Sequence, residues 1–141
     1  MIPYDQYRSM AEVLPILCVD IVIVNLSGQY LLVKRANEPR RGQWWVIGGR
    51  VFKGETLEQA VVRKVWEESS LKIRNVKPIG YYEDVSQKSP FGLIAPYHAI
   101  SVVFTAVVDN FMAVKLEDQS AAWKFSMELP ADFIIKKFQI S

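Results

Sequence analysis

Disulfides are out of reach for this chain, because its 141 residues include one cysteine, Cys18. Set in an apolar run, that thiol reads as a packing residue in a reducing compartment rather than a nucleophile. Long hydrophobic segments are also missing. The stretch "LPILCVDIVIV" is short and interrupted by Asp20, and Asp5 and Glu12 precede it, which argues against a signal peptide or a membrane span. A cytoplasmic protein with no membrane partner is therefore expected. A large excess of either charge is missing too: the net charge of +2 is too small to suggest general nucleic-acid binding. Internal repeats and low-complexity segments are absent. With half its residues apolar, the chain has enough material for one buried core, so a single domain over 1–141 is expected.

The charge that is present is unevenly placed. Lys34, Arg35, Arg40, Arg41, Arg50 and Lys53 fall within twenty positions against one acid, Glu38. Such a local field suits a small polyanion such as a diphosphate.

Along the chain, "PILCVDIVIVN" and "QYLLVKR" are rich in branched apolar residues and flank "LSG", predicting a hairpin. "WWVIGGR" predicts a third strand that ends at the double glycine. Its alternation puts Trp44 and Trp45 on opposite faces, one in the core and one free to stack on a base, with Trp45 the expected stacking residue. "TLEQAVVRKVWEESSL" has helical apolar spacing, with Thr56 as N-cap and Gln59 completing a capping box. "VKPIGYYEDV" and "HAISVVFTAVV" read as strands around a long loop, "AAWKFSM" as a last strand, and "PADFIIKKF" as a short helix opened by proline. The segment "MIPYDQYRSMAEV" suggests no element beyond a packing or dimer role. Strands, helix, strands, helix is the order of an α/β layered domain around a mixed sheet.

Glu67 and Glu68 are the acids most open to a chemical reading. They stand four residues after Arg63 and Lys64, so each could simply neutralise a base on a solvated face. The preceding loop, "GGRVFKGE", favours a different role: its glycines let backbone carbonyls approach an ion, and Glu55 lies just ahead of the N-cap. A hard cation such as Mg²⁺ takes one or two carboxylates together with water and substrate phosphate, and Gly48 can offer its carbonyl. Arg63 and Glu55 read as structural, the arginine holding the loop acid. Asp20, an acid inside an apolar strand, needs a partner or a purpose.

Starting at Gly49, the chain runs glycine, five residues, Glu55, seven residues, then Arg63-Lys64-Val65-Trp66-Glu67-Glu68-Ser69-Ser70-Leu71. This resembles the Nudix box, which implies a three-layer α/β/α sandwich around a mixed β-sheet, a divalent metal held by helix glutamates, and a substrate containing a nucleoside diphosphate linked to another group. Two positions depart from the box: Lys64 replaces its first glutamate and Ser70 its glycine. Lysine cannot ligate Mg²⁺, so one ion rather than several is expected. The stretch from Leu31 to Lys64 is similar to the GDP-mannose hydrolase branch of that family, which also lacks the first glutamate. In that branch water attacks the sugar C1 and nucleoside diphosphate departs.

Carried across, that resemblance implies Mg²⁺ or Mn²⁺ on the Gly48 carbonyl, Glu68 and Gln119, with Glu67 as a further candidate ligand. It implies Arg35 and Arg50 facing the phosphates beside the catalytic acids Glu67 and Glu68, and substrate contacts from Asp20 and His98. A homodimer is also implied. The plain alternatives are strand-end charges for Arg35 and Arg50, a loop amide for Gln119 and a hydrogen-bonded strand histidine for His98. The branch's base histidine after the glutamine is replaced by Ser120, leaving Glu67, Asp118 or a loop residue as base. Three readings stay open: a nucleotide-sugar hydrolase releasing nucleoside diphosphate and sugar, a pyrophosphohydrolase attacking phosphorus, and a nucleotide-binding module of weak turnover.

Overall fold

Asn25 makes the first turn. Its side-chain oxygen accepts the backbone N–H groups of Ser27 and Gln29, and Gly28 takes the positive φ of 77° that closes the loop. The turn joins β1 (Ile16–Val24) to β2 (Tyr30–Lys34). The structure, a computed structural model, describes residues 3–36, 40–87, 96–109 and 122–135.

β1 and β2 are in register at Val24 and Tyr30, beside the turn. The first half of that β1 edge is filled instead by β4 (Ile47–Arg50), which satisfies its backbone groups over Cys18–Ile21. The predicted single strand through "WWVIGGR" is thus two: β3 (Trp44–Trp45) pairs with β2, and the chain crosses at Val46 to pair with β1. Along its other edge β1 runs parallel to β6 (Tyr97–Val107), which pairs antiparallel with β5 (Arg74–Ser86). β7 (Trp123–Ser126) adds to β2. One parallel pair among antiparallel ones makes the sheet mixed, as expected.

α2 (Leu57–Ser69) begins with the predicted capping box, Thr56 and Gln59 each satisfying the other's backbone N–H. It ends at Ser70, whose φ of 58° is left-handed. That conformation favours glycine at a helix end, and serine adopts it at a cost of order 1 kcal/mol. The helix covers one sheet face, where Val61 and Val65 meet Val19, Ile21, Ile23 and Ile47, all fully buried. Each such side chain contributes about 1.5–3 kcal/mol on removal from water.

On the opposite face lie α1 (Tyr4–Val13) and α3 (Ala131–Ile135). Phe133 of α3 packs edge-on against Trp45 and Tyr82 over Val22, Leu32 and Val103. The layers are therefore α/β/α. The α1 helix was not foreseen; its Pro3 N-cap offers no side-chain hydrogen bond, so nothing local marks its start. Among the described residues, no helix is long and apolar enough to cross a membrane.

Candidate active site

The face opposite α2 is not fully covered. Beside Tyr7 of α1 a cavity of about 250 Å³ remains, lined by alternate residues of two strands, Cys18 and Asp20 of β1 and Tyr97, Ala99 and Ser101 of β6, and by Gly48, Gly49 and Arg50 of β4. Period-two geometry explains why β1 gives Val19 and Ile21 to the core while Cys18 and Asp20 face the cavity. Arg35, Arg40, Trp45, Tyr82 and Asp84 close the lining, and Lys64 and Glu68 reach it from α2.

Asp20 has its partner. The Tyr82 hydroxyl donates to Asp20 Oδ2, and Arg35 and Arg40 add positive potential. Burial nevertheless pushes the carboxyl above the usual range. Tyr82 is raised too, first by burial and then by the charge of the acid it faces. A raised acid stabilises the fold below its unfolded value and loses that contribution as pH rises through its folded value. Cys18 is equally inert: burial, reinforced by Asp20, pushes its thiol up to about 12.

The basic side chains are arranged unequally. Arg40 pairs with Asp84 across the cavity, and Lys64 Nζ lies 2.9 Å from Glu68 Oε1. Arg35 and Arg50 have no such acid among the described residues, and Arg35 Nε and Arg50 Nη1 are buried without a hydrogen-bond partner there. Leaving a buried charged donor unsatisfied costs upwards of about 1–3 kcal/mol. Arg50 is held by aromatic contact instead, its guanidinium 3.9 Å from the ring centre of Tyr7 on α1. The arrangement is a cradle of fixed donors for an anion that brings its own oxygens.

Behind it stands a clamp. Arg63 gives Nη2 and Nε to the two oxygens of Glu55 at 2.7 and 3.0 Å, and Nη2 also to the Arg50 carbonyl at 2.9 Å. Glu55 in turn accepts the Phe52 N–H at 2.7 Å. The arginine holds the loop acid as the sequence reading had it. These bonds keep Glu55 below the usual carboxylate range, the Arg63 hydrogen bond foremost.

Of the residues singled out in the sequence, Asp20, Arg35, Trp45, Gly48, Arg50 and Glu68 line the cavity together. Glu67 does not; it is exposed and pairs with Arg63. His98 needs correction, since Tyr97, Ala99 and Ser101 face the cavity and alternation sends His98 to the other face, 3.6 Å from Glu83. Trp45 is corrected as well: it is the core tryptophan, 3% exposed, and Arg40 lies 4.1 Å over its ring where a base would stack. Asp118, Gln119 and Ser120 lie outside the described residues. Unforeseen were Tyr7, Tyr82 and Asp84. Arg40, read in the sequence as part of the basic cluster, also lines the cavity.

A NUDIX domain model matches residues 14–138. The chain belongs to the Nudix family. Low-salt glycan biosynthesis protein Agl8 of Haloferax volcanii is 35% identical over 109 residues, 77% of this chain and 69% of that protein. An ADP-ribose pyrophosphatase of Methanocaldococcus jannaschii is 38% identical over 82 residues, 58% of this chain, which spans only 45% of that protein. In fold, a MutT NUDIX hydrolase from Burkholderia pseudomallei superposes with a TM-score of 0.70 over 87% of this chain and 95% of that one, at 22% identity.

Nudix hydrolases generally use divalent metals such as Mg²⁺. Among the described residues, no group of three His, Cys, Asp or Glu is arranged to hold an ion. Glu68 is the one box acid at the cavity, and it already faces the Lys64 ammonium. The described donors of this Nudix chain do not by themselves make a divalent-ion site.

Proposed function

We propose that this Nudix chain hydrolyses a nucleoside diphosphate sugar, GDP-mannose or a close relative of it, releasing nucleoside diphosphate and sugar. The observation that carries the reading is the pair Arg35 and Arg50, whose buried nitrogens lack partners among the described residues. With Arg40 matched to Asp84 and Lys64 to Glu68, these guanidiniums are the cations of the lining that have no ion-pair acid among the described residues. A diphosphate esterified at both ends carries one charge per phosphate and matches that pair; a nucleoside triphosphate carries more. The printed name of the Haloferax relative, tying it to glycan biosynthesis, supports a sugar as the second substituent.

In this reading Arg35 and Arg50 grip the diphosphate and stabilise the charge that grows on it as the nucleoside diphosphate departs. Tyr7 keeps Arg50 in place, and the clamp of Arg63 on Glu55 fixes the loop over which the substrate lies. Mg²⁺ or Mn²⁺, general in the family, would need ligands from outside the described residues, since Glu68 is the one box acid at the cavity. The ADP-ribose pyrophosphatase relative supports the second reading, attack at phosphorus.

The test is a screen of GDP, UDP, ADP and TDP sugars and ADP-ribose with either ion, followed by products in ¹⁸O-labelled water. The expected result is nucleoside diphosphate with label in the sugar, and a drop of about a hundredfold or more in Arg50→Met. Nucleoside monophosphate plus sugar phosphate would establish attack at phosphorus. Absence of turnover on all of these and on nucleoside triphosphates would leave the binding module.

A further inference from the structure

Lys64 stands where the Nudix box has an acid, and its side chain is not turned to solvent. The chain crosses directly over Gly49: a Cβ there would fall 2.4 Å from Lys64 Cε and 2.8 Å from Cδ. The glycine therefore provides the groove that guides the lysine from α2 past the edge of β4 into the cavity. At the end of that path the ammonium rests on Glu68 Oε1 at 2.9 Å, both side chains being largely buried, at 22% and 17% exposure. Lys64 and Glu68 share the lining with Arg35 and Arg50.

A lysine ammonium has three donors and no acceptor. One faces Glu68, which leaves donors for an incoming phosphate. Any divalent ion approaching Glu68 meets a positive charge already seated on the same carboxylate. We propose that Lys64, laid across Gly49 and held by Glu68, is a built-in cation that takes over the diphosphate-binding role of a metal ion, so that this chain binds a nucleoside diphosphate derivative without one. The proposal rests on the diphosphate reading of the cavity.

Calorimetric titration of the full chain with GDP-mannose and with ADP-ribose, in EDTA and in Mg²⁺, tests it. The affinity for the better probe should agree within about threefold between the two conditions. Lys64→Met, which keeps the aliphatic length, should weaken binding in EDTA by about ten- to a hundredfold, the usual value of a hydrogen bond to a charged group. Lys64→Glu should weaken it further and bind Mn²⁺, read by electron paramagnetic resonance, more tightly than the wild type does.

A wild type that binds either probe only with Mg²⁺ overturns the proposal and leaves the diphosphate reading standing. So does a Lys64→Met protein that binds as well as the wild type in EDTA. If neither probe binds in either condition, the diphosphate reading falls and this proposal falls with it. Because the wild-type comparison uses no variant, the outcome does not depend on the substituted proteins folding.

Discussion

Gly48 and Gly49 are neighbours on β4, yet they serve opposite faces of the sheet for different reasons. Gly48 faces the cavity, and a Cβ there would lie 2.3 Å from Asp20 Oδ1 and 2.8 Å from the Val19 carbonyl oxygen. Gly49 faces α2, where a Cβ would meet the methylenes of Lys64. One glycine lets a buried acid and the backbone of β1 close up; the other opens a path for a long flexible side chain. A double glycine in a sequence thus conceals two requirements, one rigid and one yielding.

The largest effect should come from Gly48→Ala. Its Cβ would strike backbone as well as a short buried side chain, and strain of about 3 kcal/mol is expected, seen as a lowered midpoint in urea unfolding. An unchanged midpoint would mean that β1 and β4 can separate, and the contrast between the two faces would be lost.

A smaller loss, about 1–2 kcal/mol, is expected for Arg63→Met, which strands Glu55 in the loop between the two glycines and α2. Its pH dependence sharpens the comparison. The Arg63 hydrogen bond holds Glu55 below its ordinary value of 4.5. A depressed acid stabilises the fold above its unfolded value and loses that contribution as pH falls through the folded one. The gap between wild type and variant, followed by thermal melts from neutral pH down to the acid side of 4.5, should therefore narrow as the pH falls. A constant gap would assign the loss to packing of the Arg63 guanidinium on Phe52, 3.8 Å away, rather than to the ion pair.

Gly49→Ala should do least to stability, under about 1 kcal/mol, because the atoms it meets belong to the outer part of a side chain that can move. A melting point close to that of the wild type checks this. A loss as large as that of Gly48→Ala would show that Lys64 is locked in place.

The helix was legible because its signals are local: Thr56 and Gln59 cap it, and its apolar spacing selects the face that packs on Val19, Ile21 and Ile47. The hairpin was legible for the same reason. The predicted single strand at "WWVIGGR" failed because its division depends on β1 and β2 pairing only near their turn, a fact of register that neither strand records. His98 and Trp45 were misplaced for a related reason. Alternation states that neighbours part, but not which face will hold the cavity. Tyr7 could not be found at all, since its use is to stack on Arg50, a residue far away in the chain.

By itself the sequence determined the family, the capped helix and the acids and bases spaced along it, because those depend on residues within a few turns of one another. Only the tertiary structure decided which side of each strand became the site and which charges remained unmatched there. It gave Arg40 an acid in Asp84, laid Lys64 across a bare glycine at the cavity, and gave Arg35 and Arg50 no acid among the described residues. Pairing of that kind is settled by distance in the folded chain, where burial raises the cost of every charge left without a partner.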